Sequence, residues 1–240
     1  MKELGISIII AAYEAEDFIE ETLESIYKQQ NVNLPFEILI GIDHCQSTLE
    51  KVLSLRQKYP KMRIFMMDSN TGPYTVYNSL FDEVQFEYIH IFGADDIMLP
   101  GMLSGISQYI PEYDFISSKF EMFIEGTDYV PYPDTIGVAA GVMTFNHKFL
   151  ESVGGYKPWR FSGDSEMRIR RDHLFKKENF NEVIVDPIGF KYRVHPRSLT
   201  NDPKSRQGTS LREQYRMEMK TQKMIPLIKV PRVVNTYKEI

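Results

Sequence analysis

The chain has 240 residues, 42% of them hydrophobic, and a formal net charge of −5. That length buries one substantial core, or a main domain carrying a smaller lobe, and the composition excludes disordered and fibrous classes. The single cysteine, Cys45, excludes an intramolecular disulfide framework and reads as a small residue packed beside a strand end; no apolar run reaches the roughly 18 residues of a membrane span.

In chain order, residues 6–12 form a β-branched apolar run of strand length, and beyond Tyr13 the period becomes helical, with Phe18, Ile19, Leu23, Ile26 and Tyr27 on one face. Residues 36–42 (FEILIGI) predict a second strand, broken at Asp43-His44 and followed by a helix over 48–58. A third strand is predicted over 63–67, a helix over 74–81 and a fourth strand over 88–92. Strands apolar on both faces and alternating with helices predict a parallel sheet covered by helices, with ligands beyond the carboxyl ends of its strands. Those ends carry Ala11 to Tyr13, Asp43, and the adjacent pair Asp95 and Asp96.

After Pro100 the alternation is lost, and a second lobe facing the same edge is expected from aromatic segments, a Pro-Tyr-Pro turn at 131–133, GVAAGVMTF at 137–145 and GGYKPWRFSGDSEMRIR at 154–170. Leu211, Tyr215 and Met219 at helical spacing predict a terminal amphipathic helix. Between residues 203 and 232 eight Lys and Arg face two Glu, so this stretch carries +6 and the remainder −11. A solvated basic helix and contact with an anionic membrane surface both fit that asymmetry, whereas the acidic body argues against nucleic acid. The early acid in MKELGISIIIAAYE does not suit a secretory signal, so a cytoplasmic protein is expected, with peripheral attachment to a membrane left open.

The stretch EYIHIFGADDIMLP (87–100) places two carboxylates at the exposed end of an apolar strand. Adjacent carboxylates repel, so either solvent at an acidic turn or a divalent cation must accommodate them. Neither a dinucleotide fingerprint nor a phosphate loop follows the first strand, which runs into AAYEAED. Dehydrogenase and NTPase chemistry are thereby disfavoured.

Taken in order, SIIIAAYEAEDFIEETLESIYKQQ, FEILIGID, NTGPYTVYNSL, EYIHIFGADDIMLP, GGY, SGDSE and YRVHPRSLT resemble the successive blocks of the family two glycosyltransferases. The resemblance implies the GT-A fold, an α/β arrangement in which a Rossmann-like mixed sheet is flanked by helices. It divides the chain into one domain over 1–205, nucleotide-binding over 1–100 and acceptor-binding over 101–205, and a basic tail over 206–240. It implies a metal-dependent, inverting transfer of one sugar from a nucleotide-diphosphate donor, UDP-linked by expectation, to a glycan or lipid-linked acceptor. Ala11, Tyr13 and Asp43 match the base-binding positions, and Asn70, Gly72 and Asn78 the segment under the ribose and diphosphate. Asp95 matches the metal-binding carboxylate, with Asp96 beside it, and His195 the histidine that completes the shell of Mn²⁺ or Mg²⁺. Asp164 matches the catalytic base, with Glu166 as second choice; Trp159 and Met143 are placed on the acceptor side.

Three positions depart from the family pattern. Gly93 replaces the first acid of Asp-x-Asp-Asp, Gly163 the acid of a Glu-Asp pair, and Tyr77 stands where a basic residue is common, so that Arg193 or Arg197 is expected to meet the diphosphate instead. The departures keep a sugar-nucleotide nucleotidyltransferase and a silent nucleotide- or glycan-binding member as alternatives. Membrane spans and the Gln-x-x-Arg-Trp element of processive synthases are not present in the sequence, which favours single additions over polymer extrusion.

Overall fold

The computed structural model describes residues 2–126, 136–177, 179–203, 205–206, 208–224 and 227–240. The turn expected at 131–133 lies outside them. In chain order the elements are β1 (Glu3–Ala12), α1 (Ile19–Tyr27), β2 (Phe36–Ile42), α2 (Gln46–Ser54), β3 (Met62–Met67), α3 (Pro73–Leu80), β4 (Phe86–Gly93), β5 (Ile97–Met98), α4 (Met102–Ser107), β6 (Phe115–Ile124), β7 (Ile136–Asn146), α5 (His147–Val153), α6 (Gly163–Phe175), β8 (Glu182–Val194), α7 (Ser210–Met224) and β9 (Tyr237–Glu239).

Among the described residues the strands make one nine-stranded sheet, ordered β5-β8-β6-β7-β4-β1-β2-β3-β9. The run β4-β1-β2-β3 is parallel. Its strands are sealed on both faces because successive side chains point to opposite sides: Ile8 and Ile10 join a core with Leu23, Ile26, Leu49 and Val52, whereas Ile9 joins one with Val76, Leu80, Phe149 and Met167. β7 pairs antiparallel with β4, and β6 and β8 extend the sheet beyond it. The second half is thus continuous with the first through the sheet.

The chain end docks on the body, where β9 pairs antiparallel with β3. Asn235 bridges the neighbouring loop, its Nδ2 donating to Ser69 O at 2.7 Å and its N–H to Ser79 Oγ at 2.8 Å. α7 is held against α6 by Gln222, whose Nε2 donates to Glu166 Oε1 at 2.8 Å.

Candidate active site

In-register pairing of the three central parallel strands sets Ala11 of β1 beside Gly41 of β2 on one flank and Gly93 of β4 on the other. The loops leaving this edge carry Tyr13, Asp43 and Asp95. Tyr13 is 51% exposed, a large ring at a strand end. Asp43 is buried and its oxygens accept from the N–H groups of Thr71 (2.9 Å) and Gly72 (2.8 Å). Burial pushes its carboxyl up from the ordinary aspartate range, and those two N–H bonds pull the other way. Asp43 therefore organises the 70–72 loop, while each oxygen retains a lone pair for a ligand. In that loop Asn70 Nδ2 donates to Asp43 O at 3.2 Å, and the Asn70 side-chain oxygen accepts from the Arg160 guanidinium. Gly72 (φ +90) approaches the Arg160 backbone, where a Cβ would lie 3.2 Å from Arg160 Cα; both features favour glycine.

The acidic loop is clamped from two sides. On α1, Thr22 Oγ1 donates to the carbonyls of Ala94 (3.0 Å) and Asp96 (2.9 Å). From β8, the Arg193 N–H donates to Asp96 Oδ1 at 3.0 Å and Arg193 Nε to Asp95 O at 2.7 Å. Asp95 Oδ2 then lies 3.0 Å from His195 Nε2. The His195 ring packs at 4.4 Å from that of Phe18, and among the described residues its buried Nδ1 has no partner.

Asp96 is not placed as the second metal-binding acid. It is buried, one oxygen is taken by β8, and the other lies over Gly93, where a Cβ would stand 2.5 Å from Asp96 Oδ2. Burial first, and the charge of Asp95 second, push its carboxyl well above the ordinary range. The missing first acid of the motif is thus the space that Asp96 occupies.

Asp164 sits in the first turn of α6, which starts at Gly163 behind the left-handed Ser162; it does not cap the helix. Its Oδ1 accepts from the Tyr74 hydroxyl at 2.9 Å. Burial first, then the charges of Asp95, Asp164 and Asp96, raise the Tyr77 hydroxyl above the ordinary range. The position where the sequence resemblance expects a cation therefore holds a neutral phenol.

Four expected site residues belong to the scaffold. Glu166 is fully buried, with Arg170 Nε at 3.0 Å from both carboxylate oxygens and Nη2 at 2.8 Å from Oε2. Removing one partner of such a pair leaves an uncompensated charge, so Glu166 is held for structure and does not reach a substrate. Asn78 is fully buried, exchanging hydrogen bonds of 2.8 Å with the backbone of Tyr156 and reaching Val233 O at 3.1 Å. Met143 lies in the core, its sulfur 3.6 Å from the Tyr156 hydroxyl. Trp159 stacks on Tyr215 of α7 with ring centroids 4.2 Å apart and planes at 3°, so one aromatic face is spent on packing. Arg193 and Arg197 are likewise engaged, with Glu21 and Glu125 and with Asp17 respectively.

Among the described residues no group of three or more His, Cys, Asp or Glu is assembled for a metal. The pair Asp95 and His195 nevertheless suits one ion: adjacent ligands at about 2.1 Å in an octahedron lie about 3 Å apart. No helix among the described residues is long and apolar enough to cross a membrane.

The family model for glycosyl transferase family 2 matches residues 7–180. Abequosyltransferase RfbV of Salmonella typhimurium is 29% identical over 44% of this chain and 32% of its own length. Glycosyltransferase GlyG of Streptococcus pneumoniae is 24% identical over 76% of this chain and 60% of its own length. The chain therefore spans less than two thirds of these relatives. Among solved structures, Staphylococcus aureus TarS 1–349 in complex with UDP superposes with a TM-score of 0.60 at 18% identity, covering 80% of this chain and 61% of that one. The mannosyltransferase PcManGT from Pyrobaculum calidifontis, in complex with GDP-Man and Mn²⁺, gives 0.62 at 15% identity, covering 82% and 59%. These likenesses establish the GT-A fold expected from the sequence.

Proposed function

Because the chain belongs to glycosyl transferase family 2, we propose that it moves one sugar, with inversion, from a nucleotide-diphosphate donor to a glycan or lipid-linked acceptor at the carboxyl edge of β1, β2 and β4. The observation that carries this reading is the pairing of Asp95 with His195 at 3.0 Å, with the charges of Asp95 and Asp164 both felt by the buried Tyr77 hydroxyl. One centre suits the leaving diphosphate, the other the attacking hydroxyl.

The nucleoside fits the open side of the edge, with the base against the exposed Tyr13 ring and the Asp43 lone pairs above Ala11. A UDP donor is supported by the TarS complexes, one solved with UDP and another with UDP-GlcNAc, whereas PcManGT was solved with GDP-Man. Asn70, Gly72 and Arg160 stand where the diphosphate is expected, and Arg160 supplies the cation that Tyr77 does not. Asp95 and His195 would hold Mn²⁺ or Mg²⁺, which supplies Lewis-acid stabilisation of the departing diphosphate when bound. Asp164, on the opposite face of the sugar, takes the proton of the acceptor hydroxyl as that oxygen attacks the anomeric carbon.

A second contact is supported by α7. Its inner face meets the body through Tyr215 and Gln222, and its outer face exposes Met217 (59%) and Met224 (75%) among Arg216, Lys220 and Lys223. Apolar side chains ringed by cations suit peripheral binding to an anionic membrane, where a lipid-linked acceptor would reside. The test of the main reading is a panel of UDP- and GDP-sugars with Mn²⁺, scoring thermal shift and slow donor hydrolysis. Stabilisation and hydrolysis by one donor class are expected; no response to any donor would refute transfer.

A further inference from the structure

Gly163 and Tyr74 are shaped to one another. A Cβ at Gly163 would lie 2.7 Å from Cγ of the Tyr74 ring and 2.8 and 3.0 Å from its two Cδ atoms. The ring therefore rests on the bare Cα at the start of α6, and any larger residue there would lift it. Seated so, Tyr74 donates its hydroxyl proton to Asp164 Oδ1 at 2.9 Å, and the Asp164 N–H is directed at the same hydroxyl. Asp164 Oδ2 makes no hydrogen bond among the described residues and faces Gly141, where even an added Cβ would stand 3.7 Å away. One carboxylate oxygen is held, and the other is left without a hydrogen bond among the described residues beside a residue with no side chain.

We propose that Tyr74 is a positioning residue, seated on Gly163, that fixes one oxygen of Asp164 and aims Oδ2 past Gly141 at the acceptor hydroxyl. The proposal rests on the reading of Asp164 as the base. It accounts for two sequence features at once: a tyrosine at the first turn of α3, and a glycine directly before the acid. An O–H donated to a carboxylate oxygen restricts its rotation, so the hydroxyl holds Asp164 in one rotamer. Tyr74 remains a donor because burial, then the Asp164 charge, raise its hydroxyl well above the ordinary range. The other titratable groups facing this centre are Tyr77 and Tyr156, both within the field of Asp164, with Asp95 and Asp96 acting through Tyr77.

The test needs no donor. The side-chain carboxyl of Asp164 is followed by ¹³C NMR against pH, assigned by its loss in Asp164→Asn. Tyr74→Phe keeps the ring on Gly163 and removes only the hydroxyl, so the titration midpoint should rise, because the carboxylate loses a hydrogen bond to its charged form. Gly163→Ala keeps the hydroxyl but displaces the ring, and should move the midpoint the same way. Tyr156→Phe, whose hydroxyl meets Met143 instead, should leave it in place. A midpoint unchanged in Tyr74→Phe, or moved equally by Tyr156→Phe, overturns the proposal. With a donor in hand, Tyr74→Phe should lower kcat several-fold at unchanged donor KM. If the midpoint moves but Asp164→Asn still transfers normally, the base reading falls while the Tyr74 contact stands.

Discussion

The Asp96 carboxylate fills the space that a side chain at Gly93 would need, with Oδ2 2.5 Å from the place of a Cβ. Two neighbours in one loop thus share one volume, and the glycine is a condition of the buried acid. Gly93→Ala should push the carboxyl off the Arg193 N–H and lower stability by about 1–3 kcal/mol, the cost of leaving buried polar groups unmatched. Gly93→Asp, which writes in the acid of the pattern the sequence resembles, should be worse rather than restorative. Urea denaturation measures both, and wild-type stability in Gly93→Ala would show that Asp96 has room to move.

The same relationship separates the acids by role. Asp95→Ala or His195→Ala should remove most of the difference between the thermal shift given by UDP with Mn²⁺ and that given by UDP with a chelator. Asp96→Asn retains an oxygen for Arg193 and should keep that difference. Equal loss in all three variants would return Asp96 to the metal shell.

Much of the nucleotide half was legible in the sequence, because parallel strands buried on both faces are continuous apolar runs and their ends are marked by acids. The antiparallel side was not. β6, β7 and β8 mix aromatic, polar and glycine residues without a clean period, and β9 is three residues whose only reason to be a strand is the open edge of β3. Asp95 stood out as one of two adjacent acids at a strand end, and Asp164 and His195 through the resemblance to the family blocks, whereas Tyr74 did not. Its role depends on a glycine 89 positions away whose bareness has meaning only in three dimensions. One misreading was avoidable: Glu166 and Arg170 are four apart on a helix, a spacing that already suggests an ion pair.

His90 gives the fold an acid-sensitive point. It is fully buried on β4, its Nδ1 lies 2.8 Å from Thr144 Oγ1, and among the described residues its Nε2 has no partner. Burial lowers its pKa from 6.5 to about 3. The unfolded chain therefore binds this proton first, and stability should fall as pH drops below about 6.5, at up to about 1.4 kcal/mol per unit, until about pH 3. His90→Gln should flatten that part of the curve in denaturation experiments from pH 4 to 7; an unchanged slope would assign the acid sensitivity to other groups.

For the outer face of α7, sedimentation with vesicles containing phosphatidylserine should pull down the protein at low salt and lose it with added salt. Met217→Ser with Met224→Ser should weaken binding at low salt, and Lys220→Gln with Lys223→Gln should weaken it further. Binding that survives both double variants would move the contact elsewhere, and no binding by the wild type would end the idea.

The central claim is that Asp164 is the base of a sugar transfer, and it is tested most directly by the rate of donor turnover in Asp164→Asn beside the wild type, with the nucleotide-dependent thermal shift recorded on the same samples. The predicted result is a fall in kcat of about 10²–10⁴-fold with an unchanged shift, as removal of a general base requires. Turnover at the wild-type rate with the shift intact would contradict it.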